Sequence, residues 1–133
     1  MDLISRVIAG DEDADVLLFE MHNKLRQFPA YSIHLAEVIC DKKIDSSSRS
    51  LMLEALAGAR LEPTDNPTMA TIMTCLQDAE EEMRFAAIAS AGDLPRDQQD
   101  HLRGKINALA TSDSSLNVRQ AASAWEKTQR GSN

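Results

Sequence analysis

The fold is decided by the stretch Asp78-Ala-Glu-Glu-Glu-Met-Arg-Phe-Ala-Ala-Ile-Ala-Ser-Ala-Gly92. It predicts a helix, because acidic residues suit the positive N-terminal end of a helix and the apolar residues recur at spacings of three and four. Much of the apolar face is alanine, which indicates that another helix packs very close to this one. Gly92 is predicted to end the helix as a left-handed cap, and Arg84 is a candidate for burial beside the apolar face.

The same pattern recurs 35 residues upstream and 35 residues downstream. The ten-residue stretches that begin at Arg49, Arg84 and Arg119 align without a gap. Asp78 and Asp113 each precede an arginine by six residues. A period of about 20–50 residues predicts a solenoid, in which each repeat buries its apolar face against a neighbour.

Composition favours one all-helical domain. A chain of 133 residues is long enough to bury a core of its own. Apolar residues make up 43% of the sequence and aromatic residues only 4%, so the core is expected to consist of Leu, Ile, Met and Ala, which favour helices. Signals for β-strands are weak, since β-branched runs are few and the hairpin pairs Asn-Gly and Asp-Gly do not occur.

Charge and cysteine content bear on partners and compartment. The net charge of −7 argues against direct binding of nucleic acid, whose phosphates select a basic surface, and suits a basic protein partner. Cys40 and Cys75 are predicted to be buried thiols on stacked helices, too far apart for a disulfide. The sequence shows neither the start of a signal peptide nor an apolar run of about 18 residues, so a cytoplasmic protein without membrane contact is expected.

Periodicity and breaking residues predict helices at 2–9, 14–27, 31–42, 47–58, 67–77, 78–92, 96–110 and 115–129. They form a single domain, 1–133, with a degenerate helix pair in 1–28 and repeats at 30–58, 64–92 and 95–130. The segment Leu61–Pro67 is predicted to be a turn with two prolines, and Gly131-Ser132-Asn133 a frayed end. The first helix of each repeat is expected to drift by one to three residues from the period of 35.

These features resemble HEAT repeats. The shared marks are an aspartate between paired helices, an arginine six residues later, a second helix rich in small residues, and a proline near the start of the first helix, here Pro29, Pro67 or Pro95. Two departures occur: Lys43 stands in an aspartate position and Ala14 in an arginine position. The resemblance covers about residues 30–130. It implies a right-handed α-α superhelix, a short solenoid of antiparallel helix pairs.

The resemblance also implies a ladder of ion pairs that ties each second helix to the next. Its members would be Arg49, Asp78, Arg84, Asp113 and Arg119. The physical argument agrees, because an arginine near a tight interface needs acceptors that an aspartate at a helix start can supply. A phosphate-binding or substrate-binding role for these arginines is the alternative.

No chemical motif points to catalysis, a metal or a cofactor. The histidines His22, His34 and His101 have no metal-ligand spacing, and neither CxxC nor HExxH occurs. The His-Glu pairs of HEAT-like iron hydroxylases are missing as well. The chain is therefore expected to have no catalytic residue, metal or cofactor.

In HEAT-like solenoids the second helices line the concave face, which usually binds. The candidate partner-binding residues on that face are Glu54, Glu81, Glu82, Phe85 and Gln120. Phe85 among carboxylates has the composition of an interface anchor, although it could instead tilt into a neighbouring helix and belong to the core. Trp125 could either cap the open end of the solenoid or contact a partner.

Size, charge and the resemblance together favour a non-catalytic solenoid that binds a basic protein. Bacterial immunity proteins, which neutralise toxins such as basic nucleases by occluding the active site, are one class that fits. A general scaffold or adaptor is the alternative, and a cofactor-handling protein similar to the HEAT-like bilin lyases is a third reading. An immunity protein predicts one tight, salt-sensitive complex, an adaptor several weaker ones, and a lyase a bound chromophore.

Overall fold

The computed structural model describes residues 2–62 and 67–131, with side chains described as far as Gln129. Within these ranges the chain forms eight α-helices and no strand, so the predicted all-helical class is confirmed. The helices are α1 Leu3–Ala9, α2 Ala14–Gln27, α3 Tyr31–Ile39, α4 Ser46–Gly58, α5 Thr68–Cys75, α6 Glu81–Ala91, α7 Arg96–Ser112 and α8 Leu116–Gly131. Most of the predicted turn at Leu61–Pro67 and the last two residues of the predicted frayed end lie outside the described residues.

Aspartates begin several of these helices. The Asp2 carboxylate accepts a hydrogen bond from the Ser5 N–H at 2.8 Å, and Asp45 accepts one from the Ser48 N–H at 2.9 Å. Each bond satisfies a backbone donor that has no partner inside the helix. Helix α6 begins later than predicted, because Glu80 has an extended backbone and serves as its cap.

The prediction that Gly92 is a left-handed cap is wrong. Its φ is −65°, in the right-handed region, because turn hydrogen bonds continue past α6, from Asp93 N–H to the Ser90 carbonyl and from Leu94 N–H to the Ala91 carbonyl. Gly10 is the glycine that has the left-handed conformation, with a φ of +72° after α1. Helices α3 and α5 also end earlier than predicted, at Ile39 and Cys75.

The even-numbered helices keep the period of the sequence. Helices α4, α6 and α8 begin at Ser46, Glu81 and Leu116, each 35 residues after the one before. The odd-numbered helices α3, α5 and α7 end at spacings of 36 and 37 residues. Their starts depart further than the predicted one to three residues, because α7 has 17 residues against nine and eight in α3 and α5.

The packing also distinguishes even-numbered from odd-numbered helices. Helix α4 packs against α2 and α6, and α6 packs against α8, so the even helices contact one another in sequence. Each of α3, α5 and α7 packs against the even helix that follows it, and α3 also contacts α5. Met52, Ala87 and Ala122, spaced by 35, are all 0% exposed. The small side chains of Ala87 and Ala122 thus lie in the core, on the faces where α4, α6 and α8 pack against one another.

The two cysteines differ. Both are free thiols, and Cys75 is buried as predicted, but Cys40 is exposed. The reason is local: Ile39, the last residue of α3, takes the fully buried place, and Cys40 lies one residue beyond the helix end. Within residues 2–62 and 67–131, no helix combines the length and hydropathy that crossing a bilayer requires.

Candidate partner-binding surface

One buried and one partly buried arginine link successive even helices. Arg49, only 2% exposed, donates from Nη2 to Asp78 Oδ2 at 2.6 Å. Arg84 donates to both carboxylate oxygens of Asp113, at 2.7 and 3.0 Å. In each case an arginine on one even helix reaches an aspartate 29 residues later, directly before the next even helix begins.

Each arginine also binds backbone carbonyls. Arg84 Nη1 donates to the carbonyl of Asp78 at 2.8 Å, and Arg119 Nη1 donates to that of Asp113 at 2.7 Å. Arg49 departs from this pattern, as its Nε donates to the Ile39 carbonyl at 2.6 Å. The five residues named as a ladder therefore lie in one series of contacts, and their guanidinium groups are directed at acceptors within the fold.

The two ladder aspartates are held ionised. Hydrogen bonds from Arg84 lower the pKa of Asp113, against the opposing effect of burial. Burial alone would raise the pKa of Asp78, but the Glu80 N–H and the Arg49 guanidinium together outweigh it, so this pKa is also lowered. Both carboxylates also accept the backbone N–H two residues ahead, in an Asx turn just before the helix begins.

The opposite side of the even helices is exposed. The sequence analysis named Glu54, Glu81, Glu82, Phe85 and Gln120 as partner-binding residues, and all five are exposed. The Phe85 side chain is 48% exposed and thus lies outside the core, whereas Trp125 is only 8% exposed. An aromatic ring that is half in water, in a chain with few aromatic residues, is the largest apolar feature of this side of α6.

Two grooves lie on either side of Phe85. The first, between α4 and α6, has a volume of about 360 Å³ and carries three carboxylates, those of Glu54, Glu82 and Asp93. We call it the acidic groove. Its other lining residues are Ser50, Phe85, Ala86, Ala89 and Ser90.

The second groove, between α6 and α8, has a volume of about 400 Å³. It shares Phe85 and Ala89 with the acidic groove, and it also contains Trp125 and Gln129. We call it the aromatic groove. Glu81 and Gln120 line neither of these two grooves.

Glu82 is tied to the neighbouring helix. Its carboxylate accepts hydrogen bonds from the hydroxyls of Ser46, Ser47 and Ser50 on α4, at 2.6, 3.3 and 3.4 Å. This carboxylate therefore helps to join α4 to α6 as well as lining the acidic groove.

Sequence reasoning did not include Asp93, Gln129 or Phe19 in this surface. Asp93 lies two residues beyond the end of α6, and Gln129 lies near the end of α8. Helical periodicity gives little guidance at such positions. Phe19 could have been found from the period, because residues 19, 54, 89 and 124 are spaced by 35 and all are exposed. Phe19 is 67% exposed and occupies on α2 the repeat position of Glu54 on α4.

Histidine, cysteine, aspartate and glutamate side chains are groups that could bind a metal or act as a nucleophile. In the part of the chain that the structure describes, no group of three or more of them is placed to hold a metal ion. Burial raises the pKa of the Cys75 thiol to about 12, so this sulfur is a poor nucleophile at neutral pH. Burial also lowers the pKa of His22, whose Nε2 is enclosed without a hydrogen-bond partner.

Comparison of the chain with protein-family models, curated proteins and solved structures finds no match.

Proposed function

We propose that this chain is a non-catalytic, HEAT-like solenoid that binds a basic region of another protein through the exposed side of α4, α6 and α8. The observation that carries the proposal is the position of Phe85. Its ring stands half exposed between two grooves, and one of them is lined by three carboxylates.

The solenoid part of the proposal rests on repetition. Helices α4, α6 and α8 begin 35 residues apart, and the Arg49–Asp78 and Arg84–Asp113 pairs make the same link between successive repeats. A right-handed superhelix of antiparallel pairs, as in HEAT repeats, is the arrangement that this repetition favours.

The choice of a basic protein partner rests on charge and apolar area together. Complementary charge accelerates association and disfavours wrong partners, and the acidic groove adds local negative charge to a net charge of −7. Burying an exposed aromatic ring contributes binding free energy. Exposed charge pairs at the rim of an interface contribute much less. Phe85 would then be the central anchor, with Glu54, Glu82 and Asp93 binding lysine or arginine side chains around it.

Inhibition is the specific form of binding that we propose. If the basic region is the active site of a nuclease-type toxin, covering it excludes the phosphate backbone of RNA or DNA, and the chain acts as an immunity protein. Both cysteines are free thiols, which is consistent with the reducing cytoplasm where such an inhibitor would protect its own cell.

A photo-crosslinking experiment tests the proposal. Phe85 is replaced by p-benzoylphenylalanine, and the matched control carries the same group at Ile33, which is 55% exposed on α3. One basic protein crosslinked from position 85 and not from position 33, with a yield that falls when the sample is irradiated at moderate salt, is the expected result. Inhibition of that protein's nuclease activity would support the immunity form, whereas several weakly bound partners would favour an adaptor. Equal crosslinking from both positions, or an acidic partner, would contradict the proposed surface.

A further inference from the structure

Arg119 makes only part of the hydrogen bonding that the other two ladder arginines make. Arg49 and Arg84 each form an ion pair with an aspartate that lies three residues before the next even helix begins. Arg119 donates from Nη1 to the Asp113 carbonyl at 2.7 Å, but it forms no ion pair within residues 2–62 and 67–129. Its Nε and Nη2 are therefore free to bind a carboxylate from outside those residues.

The contacts of Arg84 indicate where these two nitrogens point. Arg84 and Arg119 both donate from Nη1 to the carbonyl of the residue six positions earlier, at 2.8 and 2.7 Å. With Nη1 held in this way, Nε and Nη2 of Arg84 donate to the Asp113 carboxylate, just before the next even helix begins. The same anchoring directs Nε and Nη2 of Arg119 to the outer side of α8, where a further even helix would pack.

The turn before α2 carries the complementary group. Asp11 lies three residues before α2 begins at Ala14, just as Asp78 and Asp113 lie three residues before α6 and α8. The Asp11 side chain is exposed, and it has no hydrogen bond or ion pair among the described residues. In that part of the chain no even helix precedes α2, so no arginine reaches this carboxylate.

Val16 lies on an uncovered apolar face of α2. The residues at its repeat positions, Leu51, Ala86 and Ala121, are partly buried and pack against the core, because this face of α4, α6 and α8 meets the preceding even helix. Val16 is 51% exposed. A helix packed before α2 in the place of an even helix would cover it.

We propose that a second copy of this chain places its α8 against α2, with Arg119 of one copy bound to Asp11 of the other. Nε and Nη2 of Arg119 donate to the Asp11 carboxylate, as those of Arg84 donate to Asp113. The link that repeats along the chain then continues from one molecule to the next. Neither Asp11 nor Arg119 lines the acidic groove or the aromatic groove, so this inference goes beyond the proposed function and does not depend on it.

Charge favours a second copy joined in this order. Lys127 on α8 is exposed and stands at the repeat position of Gly92, which lines the groove between α6 and α8, so the outer side of α8 carries a second cation. Asp13 and Asp15, at the start of α2, are exposed as well. Opposite charges therefore meet when α8 of one copy lies before α2 of another, whereas a pair of α8 helices or a pair of α2 helices would bring like charges together.

Self-association in solution tests the proposal. The contact joins two different surfaces, so a bound pair still exposes one α8 and one α2 and adds further copies. We therefore expect the weight-average mass of the parent chain, measured by sedimentation equilibrium, to rise steadily with concentration into the millimolar range. A parent chain that stays monomeric throughout that range, or that stops at a dimer, would overturn the proposal.

Charge reversal tests the two residues. Arg119→Glu and Asp11→Arg should each weaken self-association about tenfold or more, because like charges then meet. An equimolar mixture of the two variants should associate as the parent chain does, since every contact between the two proteins again pairs opposite charges. A mixture that stays monomeric would overturn the proposal.

Two controls separate this effect from net charge and from misfolding. Glu37→Arg on α3 and Lys42→Glu after it change the net charge by the same amounts at exposed positions, and both should associate as the parent chain does. Asp11 is exposed, so Asp11→Arg should keep the parent's melting temperature even if Arg119→Glu does not fold. Undiminished association of Asp11→Arg, or equal weakening by the controls, would overturn the proposal.

Discussion

Arg84 on α6 donates two hydrogen bonds to Asp113, at 2.7 and 3.0 Å, just before α8 begins. Arg49 and Asp78, separated by the same 29 residues, make the corresponding link from α4 to α6. Because each aspartate also accepts the backbone N–H of the residue that directly precedes the next even helix, one carboxylate both orders the turn before a helix and positions that helix against the preceding one. The repeat of the sequence is thus a repeat of this link.

Removing the Arg84 side chain should destabilise the protein. We expect Arg84→Ala to lower the free energy of unfolding by about 1–3 kcal/mol, because it leaves the buried Asp113 carboxylate without its main partner. Arg119→Ala is the matched control and should cost less, since the bond from Arg119 goes to the Asp113 carbonyl rather than to the carboxylate. Urea titration of both variants checks this, and equal losses would contradict a special role for the ion pair.

Acid should weaken the same link. The pKa of Asp113 is lowered in the folded protein from an unfolded value of 3.8, so the unfolded chain binds this proton more readily and stability rises with pH. The stabilisation is complete above the unfolded pKa and is lost as the pH falls through the lower, folded pKa. We therefore expect Asp113→Asn to be less stable at pH 7 and to show a flatter decline below about pH 4. Urea titrations at pH 7, 5, 4 and 3 would detect the difference, and parallel curves would refute it.

The period of 35 made much of this architecture predictable. Arginine, aspartate and alanine positions recur at that spacing, so the starts of α4 and α8 could be placed within one residue and the start of α6 within three. Prediction failed at two helix ends, where the adjoining turn decides the backbone conformation or the exposure of a residue. Gly92 keeps a right-handed backbone because turn hydrogen bonds continue past α6, and Cys40 is exposed because α3 ends one residue before it. The spacing of apolar residues in the sequence does not reveal either effect.

The candidate surface was predictable in outline only. Helical periodicity identified Glu54 as an exposed position on an even helix, but it left Phe85 open between an exposed anchor and a core residue. It could not reveal that Glu82 is held by three serines, because those hydroxyls lie on α4, more than 30 residues away in sequence. Nor could it reveal that Trp125 Nε1 and Gln129 Oε1 are buried without a hydrogen-bond partner among the described residues, since satisfaction of a buried polar atom depends on the packed neighbours and not on the residue type.

The two thiols should react very differently. Cys75 is buried and its pKa is raised to about 12 by burial, so a thiol reagent should not modify it in the native protein. Cys40 is exposed and should react, but more slowly than a free cysteine, because partial burial of its sulfur raises its pKa too. Ellman's reagent at pH 8 should count one thiol before denaturation and two after, and Cys40→Ser should abolish the native reaction. Rapid modification of both thiols would refute the packing of α5.

The glycines of α4 and α7 offer a matched pair. A Cβ on Gly104 would meet nothing within 4 Å, so Gly104→Ala should raise stability by about 0.5–1 kcal/mol, as alanine does in a helix interior. A Cβ on Gly58 would lie 2.9 Å from His22 Nε2, so Gly58→Ala should give no gain or a loss. Introducing Gly58→Ala into a His22→Ala background should recover the gain. Thermal unfolding checks all three, and an equal gain for the two single variants would show that α2 does not pack closely on Gly58.

The acidic groove should separate binding from stability. Glu54 is exposed, so Glu54→Lys should change the free energy of unfolding by less than about 0.5 kcal/mol and should weaken binding of a basic partner, with a smaller dependence on salt. Glu82→Lys should weaken binding as well, but it should also cost about 1 kcal/mol of stability, because the hydroxyls of Ser46 and Ser47 on α4 lose their acceptor. Calorimetric binding at two salt concentrations, with urea titration of each variant, distinguishes the two effects. If Glu54→Lys bound the partner as tightly as the parent chain, the charge of this groove would play no part in recognition and Phe85 alone would have to account for it.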